Sequence, residues 1–143
     1  MQSIKEIQDG IIENFELFDN WDDKYAYIIE CGKSLATLPD QFKTVDRLVR
    51  GCQSQVWLHA EEKDGLVNFQ ADSDAIIVKG LISLLVRVLS HQTAEDIVNN
   101  ELYFIEKIGM QSHLSMTRSN GLSSMLKTMK VKALLFQEAH KNN

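Results

Sequence analysis

The residues best equipped for chemistry stand together at Arg50-Gly51-Cys52-Gln53-Ser54. A thiol sits where a glycine-containing turn gives way to an alternating apolar run, Gln55-Val56-Trp57-Leu58. Gly51 and Ser54 leave the backbone around it unobstructed. The neighbouring Arg50 guanidinium can stabilise a thiolate, the form of cysteine that attacks electrophiles and carries sulfur. Yet no base adjoins Cys52 in the chain, and free cysteines are among the most buried of residues. An inert thiol and a reactive one both fit at this level. The second cysteine, Cys31, makes neither a CxxC nor a zinc-ligand spacing with it.

One domain over residues 1–143 is expected, since 143 residues suffice for a single core without staples. A net charge of −5 argues against a nucleic-acid surface, which needs a basic patch. No run reaches the ~18 apolar residues of a membrane span. The start, Met1-Gln2-Ser3-Ile4-Lys5-Glu6, has no apolar core of a signal peptide, so a reducing cytoplasm is the expected setting, where a lone exposed thiol is more often chemical than structural.

The elements that must position Cys52 are legible from local patterns. Ser3 and Glu6 make a capping box for a helix to Phe18, with Ile4, Ile7, Ile11, Phe15 and Phe18 on one face. Asn20 caps a second helix, Trp21 to about Leu35, striped by Trp21, Tyr25, Ile28, Gly32 and Leu35; Cys31 lies beside the stripe as a small core residue. Leu38, Phe42 and Val45 are expected to pin the irregular connection to the core, and Leu48-Val49 to start a short strand. From Gln55 the period becomes two, Lys63-Asp64-Gly65 supplies a hairpin turn, and Leu66 to Ala71 returns. His59 falls on the face opposite Val56 and Leu58, as an ordinary exposed strand histidine. Ser73 and Asp74 cap an apolar helix, Ala75 to Leu89, at the centre of the core; Gly80 within it calls for a close backbone approach. Thr93 caps a short helix to Asn99, and Leu102 to Ile108 forms another piece ended by Gly109. Ser119 or Asn120 caps the last helix, Gly121 to about His140, buried along Leu122, Met125, Met129, Ala133, Leu134 and Phe136. Lys141-Asn142-Asn143 is a frayed end. The fold class is α+β: a small antiparallel sheet of two or three strands with helices at both ends of the chain.

Gly51-Cys52-Gln53-Ser54-Gln55-Val56-Trp57 resembles the signature of the SufE/CsdE sulfur-acceptor family. Three further blocks extend the similarity over nearly the whole chain: Asn20 to Glu30, Ala71 to Leu81, and His113 to Leu122. In the last, Met116 stands where family members commonly show proline, which puts the rigidity of that loop in question. The resemblance implies a SufE-like α+β domain and a sulfur relay. Cys52 takes persulfide sulfur from a pyridoxal-phosphate cysteine desulfurase of the SufS or CsdA type and passes it to a SufBCD-like cluster-assembly scaffold. The chain itself then needs no metal or cofactor and is no enzyme in its own right, and a homodimer is compatible with it. Arg50, Gly51, Gln53 and Ser54 support Cys52. Arg118 either orders Asp74, stabilises sulfur anions near Cys52, or is a plain surface arginine. Two other classes remain open. A thiol hydrolase needs His59, His91 or His113 beside Cys52, and an iron–sulfur scaffold needs Cys31 and Cys52 to converge with further ligands.

Overall fold

Ser3 and Glu6 do close the expected capping box: the Ser3 hydroxyl accepts from the Glu6 amide at 3.1 Å, and the Ser3 amide donates to the Glu6 carboxylate at 3.3 Å. The computed structural model describes residues 2–141, Gln111 by its backbone alone, so Met1 and the expected frayed residues Asn142 and Asn143 lie outside the described residues. Helix α1 (Ile4–Glu16) buries Ile4, Ile11 and Phe15. It also buries Gln8, whose carboxamide takes amides of Tyr103 (2.8 Å) and Phe104 (3.2 Å) and so tacks α1 to a segment far along the chain. Helix α2 (Trp21–Lys33) starts from the Asn20 side chain, which accepts the Asp23 amide at 2.8 Å.

Strands β1 (Val56–Lys63) and β2 (Leu66–Ser73) form a two-stranded antiparallel hairpin in the register Val56↔Ser73 to Lys63↔Leu66. Its turn holds Asp64 and Gly65 at φ 55° and 80°, the positive-φ pair that matches the strand twist. Val56, Leu58, Val67, Phe69 and Ala71 point into the core. In place of a third strand, single bridges cover each edge, Leu48 to Trp57 and Val67 to Gln92.

Helix α3 (Ile76–Leu89) lies beneath the hairpin and is buried from Gly80 to Leu85 and again at Val88 and Leu89, while Ile76 at its start is 67% exposed. Gly80 meets the expectation of a close approach. A Cβ there would stand 2.3 Å from the Ile28 carbonyl oxygen, and one at Gly32 would stand 2.9 Å from the Gly80 nitrogen. Helices α2 and α3 therefore cross backbone to backbone. Helix α4 (Ala94–Asn99), capped by Thr93, and α5 (Phe104–Lys107) lead to the long α6 (Met116–Lys141). Cys31 is buried, as expected.

Five expectations change. Val45 is 85% exposed; Leu38, at 1%, anchors the connection alone with the partly covered Phe42, and two short 3-10 turns, Asp40–Phe42 and Val45–Arg47, replace the irregular path. His59 is not open to solvent: its ring stacks on Phe42 at 3.8 Å, takes the Arg47 Nε–H at Nδ1 (3.1 Å), and meets Glu61 through Nε2 at 2.6 Å. Neither Ser73 nor Asp74 caps α3, whose N-cap residue is Ala75 and whose start has no side-chain cap: the Asp74 carboxylate turns to the Gln55 amide, and the Ser73 hydroxyl accepts the Ala75 amide just ahead of the helix. Helix α6 begins at Met116, not Gly121. The Ser115 hydroxyl accepts the Arg118 amide, so Met116 occupies the first turn, the place in a helix that tolerates proline best. Leu134 is 43% exposed, since the buried line of α6 runs through Leu122, Met125, Met129 and Ala133.

Candidate functional site

The cysteine loop leaves the sheet from two fixed shoulders. The Val49 amide donates to the Val56 carbonyl at 2.8 Å on one side. On the other, Asp74 clasps Gln55 twice: its carboxylate accepts the Gln55 amide at 3.0 Å, and its own amide donates to the Gln55 carbonyl at 3.3 Å. Asp74 thus orders the exit of the loop, and it makes no ion pair with Arg118 among the described residues.

Between the shoulders, Gly51 adopts φ 92°, a conformation open to glycine, and a Cβ there would stand 2.5 Å from the Ser124 hydroxyl of α6. The loop is folded down onto that helix. Cys52 follows, half-buried, its thiol donating to the Gly121 carbonyl at 3.6 Å. This is the long, weak contact of a sulfur donor. Gly121 lies directly against the thiol: a Cβ there would stand 3.4 Å from Sγ, a snug but ordinary contact.

Cys52, Gln53, Ser54, Arg118 and Gly121 share a cavity of about 410 Å³ whose floor is Val56, Val78, Leu81 and Met125. Two separate motifs, the loop and the start of α6, are thereby brought together. Burial pushes the Cys52 thiol pKa up, and no cation offsets it: Arg50 is exposed in the turn. The resting thiol is protonated and shielded.

Sequence reasoning singled out Arg118, which lines the cavity from α6, but missed Gly121 and Ser124 of the same helix. It also missed Asp72. This carboxylate is buried on the sheet and held by Lys43 and Lys79, each at 3.3 Å. Burial alone would raise its pKa, but the Ser73 amide and the two ammonium groups outweigh it and hold it low. Charged residues flanking an apolar run read as caps and solvated ends, and nothing local marks their convergence.

No histidine lines the Cys52 cavity. His59 is engaged by Arg47 and Glu61, His113 stacks on Trp21 at 3.7 Å, and His91 lines a different cavity with Cys31. The two cysteines face separate spaces and do not converge on one ion.

A shielded thiol has a measurable signature. Alkylation of Cys52 in the free protein is expected to be slower than that of a model thiol, with its pH midpoint displaced upward. Urea unfolding should return both to ordinary values. Gly51→Ala, strained at positive φ and in collision with Ser124, should lift the loop and speed the reaction in the folded state. Alkylation at the model-thiol rate in the folded wild type would contradict the burial.

An α+β domain that holds one loop thiol over the start of its last helix is the class these features define. A family model described as "SufE: Fe-S metabolism associated domain" matches residues 9–133. A SufE-like protein of Rhizobium meliloti (strain 1021), itself uncharacterized, is 42% identical over 130 residues, covering 87% of this chain and 93% of the relative. The solution structure of a hypothetical protein from Thermus thermophilus shares the fold, with a TM-score of 0.74 at 19% identity over 89% of this chain and 93% of that one. The chain belongs to the SufE family, and with it to iron–sulfur metabolism. No helix among the described residues is long and apolar enough to cross a membrane.

Proposed function

We propose that this protein is a sulfur acceptor and carrier for a cysteine desulfurase, with Cys52 as the carrying thiol. The observation that carries this reading is the placement of Cys52. It is the thiol of a surface loop, held to α6 by one long sulfur contact, whereas Cys31 is packed into the core. Release of that contact exchanges a half-buried thiol for one that a partner can reach and deprotonate.

The chemistry is thiol–disulfide exchange. The Cys52 thiolate attacks the outer sulfur of the desulfurase persulfide, and a new S–S bond forms. The original S–S bond breaks, and its electron pair leaves with the desulfurase cysteine as thiolate. Cys52 then holds the sulfur as a persulfide, with no net oxidation or reduction. A scaffold thiolate repeats the exchange, and Cys52 returns to its resting form. The donor is a pyridoxal-phosphate enzyme of the SufS or CsdA type, and the acceptor a SufBCD-like assembly in a reducing cytoplasm. The chain supplies no turnover of its own but raises that of the desulfurase.

The cavity is lined by Val78, Leu81 and Met125, which offer apolar cover, and by the exposed Arg118, a long flexible side chain whose guanidinium can turn toward a bound persulfide anion. The test is desulfurase turnover with and without the protein, followed by intact-mass detection of one added sulfur on Cys52. No added sulfur and no stimulation would overturn the proposal. Arg118→Ala should slow transfer while shifting stability by no more than ~0.5 kcal/mol, because the side chain is exposed and pairs with no carboxylate among the described residues. Normal transfer by this variant would remove Arg118 from the mechanism.

A further inference from the structure

A second cavity, of about 640 Å³, lies along the C-terminal half of α3, whereas the Cys52 cavity lies along its N-terminal half. The two share no lining residue, and the sulfur relay uses nothing in the second. Its size is that of a small-molecule site. Its walls come from the end of α2, the hairpin and α3.

The α3 wall carries donors that lack a strong acceptor. The Arg87 side chain makes one hydrogen bond among the described residues, a long one to the Cys31 thiol at 3.7 Å, and it pairs with no carboxylate there. His91 turns off the end of α3 at φ 63°, a region that residues with side chains seldom adopt. Its amide pins it there on the Val67 carbonyl at 2.8 Å, and it lines the cavity with Arg87.

The hairpin wall carries acceptors. Glu61 and Asn68 are register partners on the two strands, and both line the cavity. His59 takes the Arg47 Nε–H at Nδ1, so it donates from Nε2 to Glu61 Oε1, and the second carboxylate oxygen is left for another donor. Asn68 Oδ1 is covered and has no partner among the described residues. Such an acceptor is costly, and a turn of the carboxamide brings it to the cavity that Asn68 lines. Arg87 and Glu61 form no ion pair with each other, so cation and carboxylate face one space from separate walls. Leu35 and Val86 add apolar surface.

We propose that this cavity binds a zwitterion of the amino-acid class: a free α-amino acid with an apolar side chain, or a short apolar peptide. The ligand's carboxylate meets Arg87 and His91, its ammonium meets Glu61 and Asn68, and its side chain packs on Leu35 and Val86. An inorganic anion satisfies only the α3 wall, and a simple amine only the hairpin wall. The site stands independently of the sulfur-relay reading.

The experiment is amide-resolved NMR of the full chain, titrated to about 10 mM with leucine, methionine and leucyl-leucine. N-acetyl-leucine, which lacks the ammonium, and leucinamide, which lacks the carboxylate, are the controls. At least one zwitterion is expected to bind with a dissociation constant on the order of a millimolar or below, and the controls at least about ten-fold more weakly. The amino acids against the dipeptide tell which source fits better. Shifts should gather at Cys31, Asn68 and Arg87 and leave Cys52 and Gly121 unmoved. R87L and E61Q should each weaken binding about ten-fold, with R87K retaining more than R87L, and circular dichroism confirms that each variant is folded. Glutamine at position 61 keeps an oxygen for His59 and removes the charge. No binding by any zwitterion, controls that bind equally well, shifts centred on Cys52, or an R87L protein that binds as wild type does would each overturn the proposal.

Discussion

Cys52→Ser is expected to reduce persulfide acceptance to zero and desulfurase turnover to that of the desulfurase alone, while Cys31→Ser leaves both nearly intact. A serine oxygen at position 52 can keep the Gly121 contact but cannot attack a sulfane sulfur, so the variant should fold normally and still fail. Cys31 is 5% exposed on α2, where its thiol meets the Arg87 guanidinium at 3.7 Å. A serine hydroxyl there can accept the same Arg87 N–H, so the replacement should cost no more than about 1–2 kcal/mol and leave Cys52 untouched. The two effects separate when transfer is measured below the unfolding range of both variants. Full persulfide loading of Cys52→Ser, or its loss in Cys31→Ser, would move the carrying thiol elsewhere.

How much of this was legible in the chain depended on how local each signal was. The Ser3–Glu6 box, the Asn20 and Thr93 caps and the Asp64-Gly65 turn are each settled within a few residues, and each stands where expected. Cys52 was legible for the same reason: its neighbours announce a loop. On the α6 side of the site only Arg118 was. That Gly121 offers its carbonyl to the thiol, and that Ser124 closes on Gly51, depends on where α6 lands 69 positions further along. Asp74 misled because a carboxylate before an apolar run is a good cap in isolation. Tertiary placement gave its oxygen the Gln55 amide instead. His59 misled similarly, since strand alternation places it outward and cannot foresee Phe42 folding over it.

Gly80→Ala should be the most damaging single-methyl change in the chain. In an open helix interior this substitution stabilises by up to about 1 kcal/mol. Here the added Cβ would stand 2.3 Å from the Ile28 oxygen and 2.8 Å from its carbonyl carbon, atoms of the α2 backbone that cannot rotate aside. Helices α2 and α3 must part, and the apolar contacts on either side of the crossing loosen with them. The expected net loss is about 2–3 kcal/mol, a fall in Tm of roughly 5–12 °C. Gly10→Ala is the matched control: it too lies inside a helix, α1, and a Cβ there meets nothing within 4 Å. It should raise stability by about 0.5–1 kcal/mol. Urea melts of the two variants beside wild type decide the matter. A Gly80→Ala protein as stable as Gly10→Ala would mean that the helices are not in backbone contact.

The shoulders at Val49 and Gln55 set an arm's length for the thiol. Cys52 lies only three positions from either anchor, and a fully extended chain spans at most about 3.5 Å per residue. However the loop swings, Sγ stays within roughly 10–12 Å of the hairpin edge. This is a short leash, not a roaming arm. A sulfur donor or acceptor must dock against the body of this protein and bring its own cysteine close. Recognition then depends on the rigid surface around the leash, and accidental oxidants or small thiols find only a half-covered sulfur.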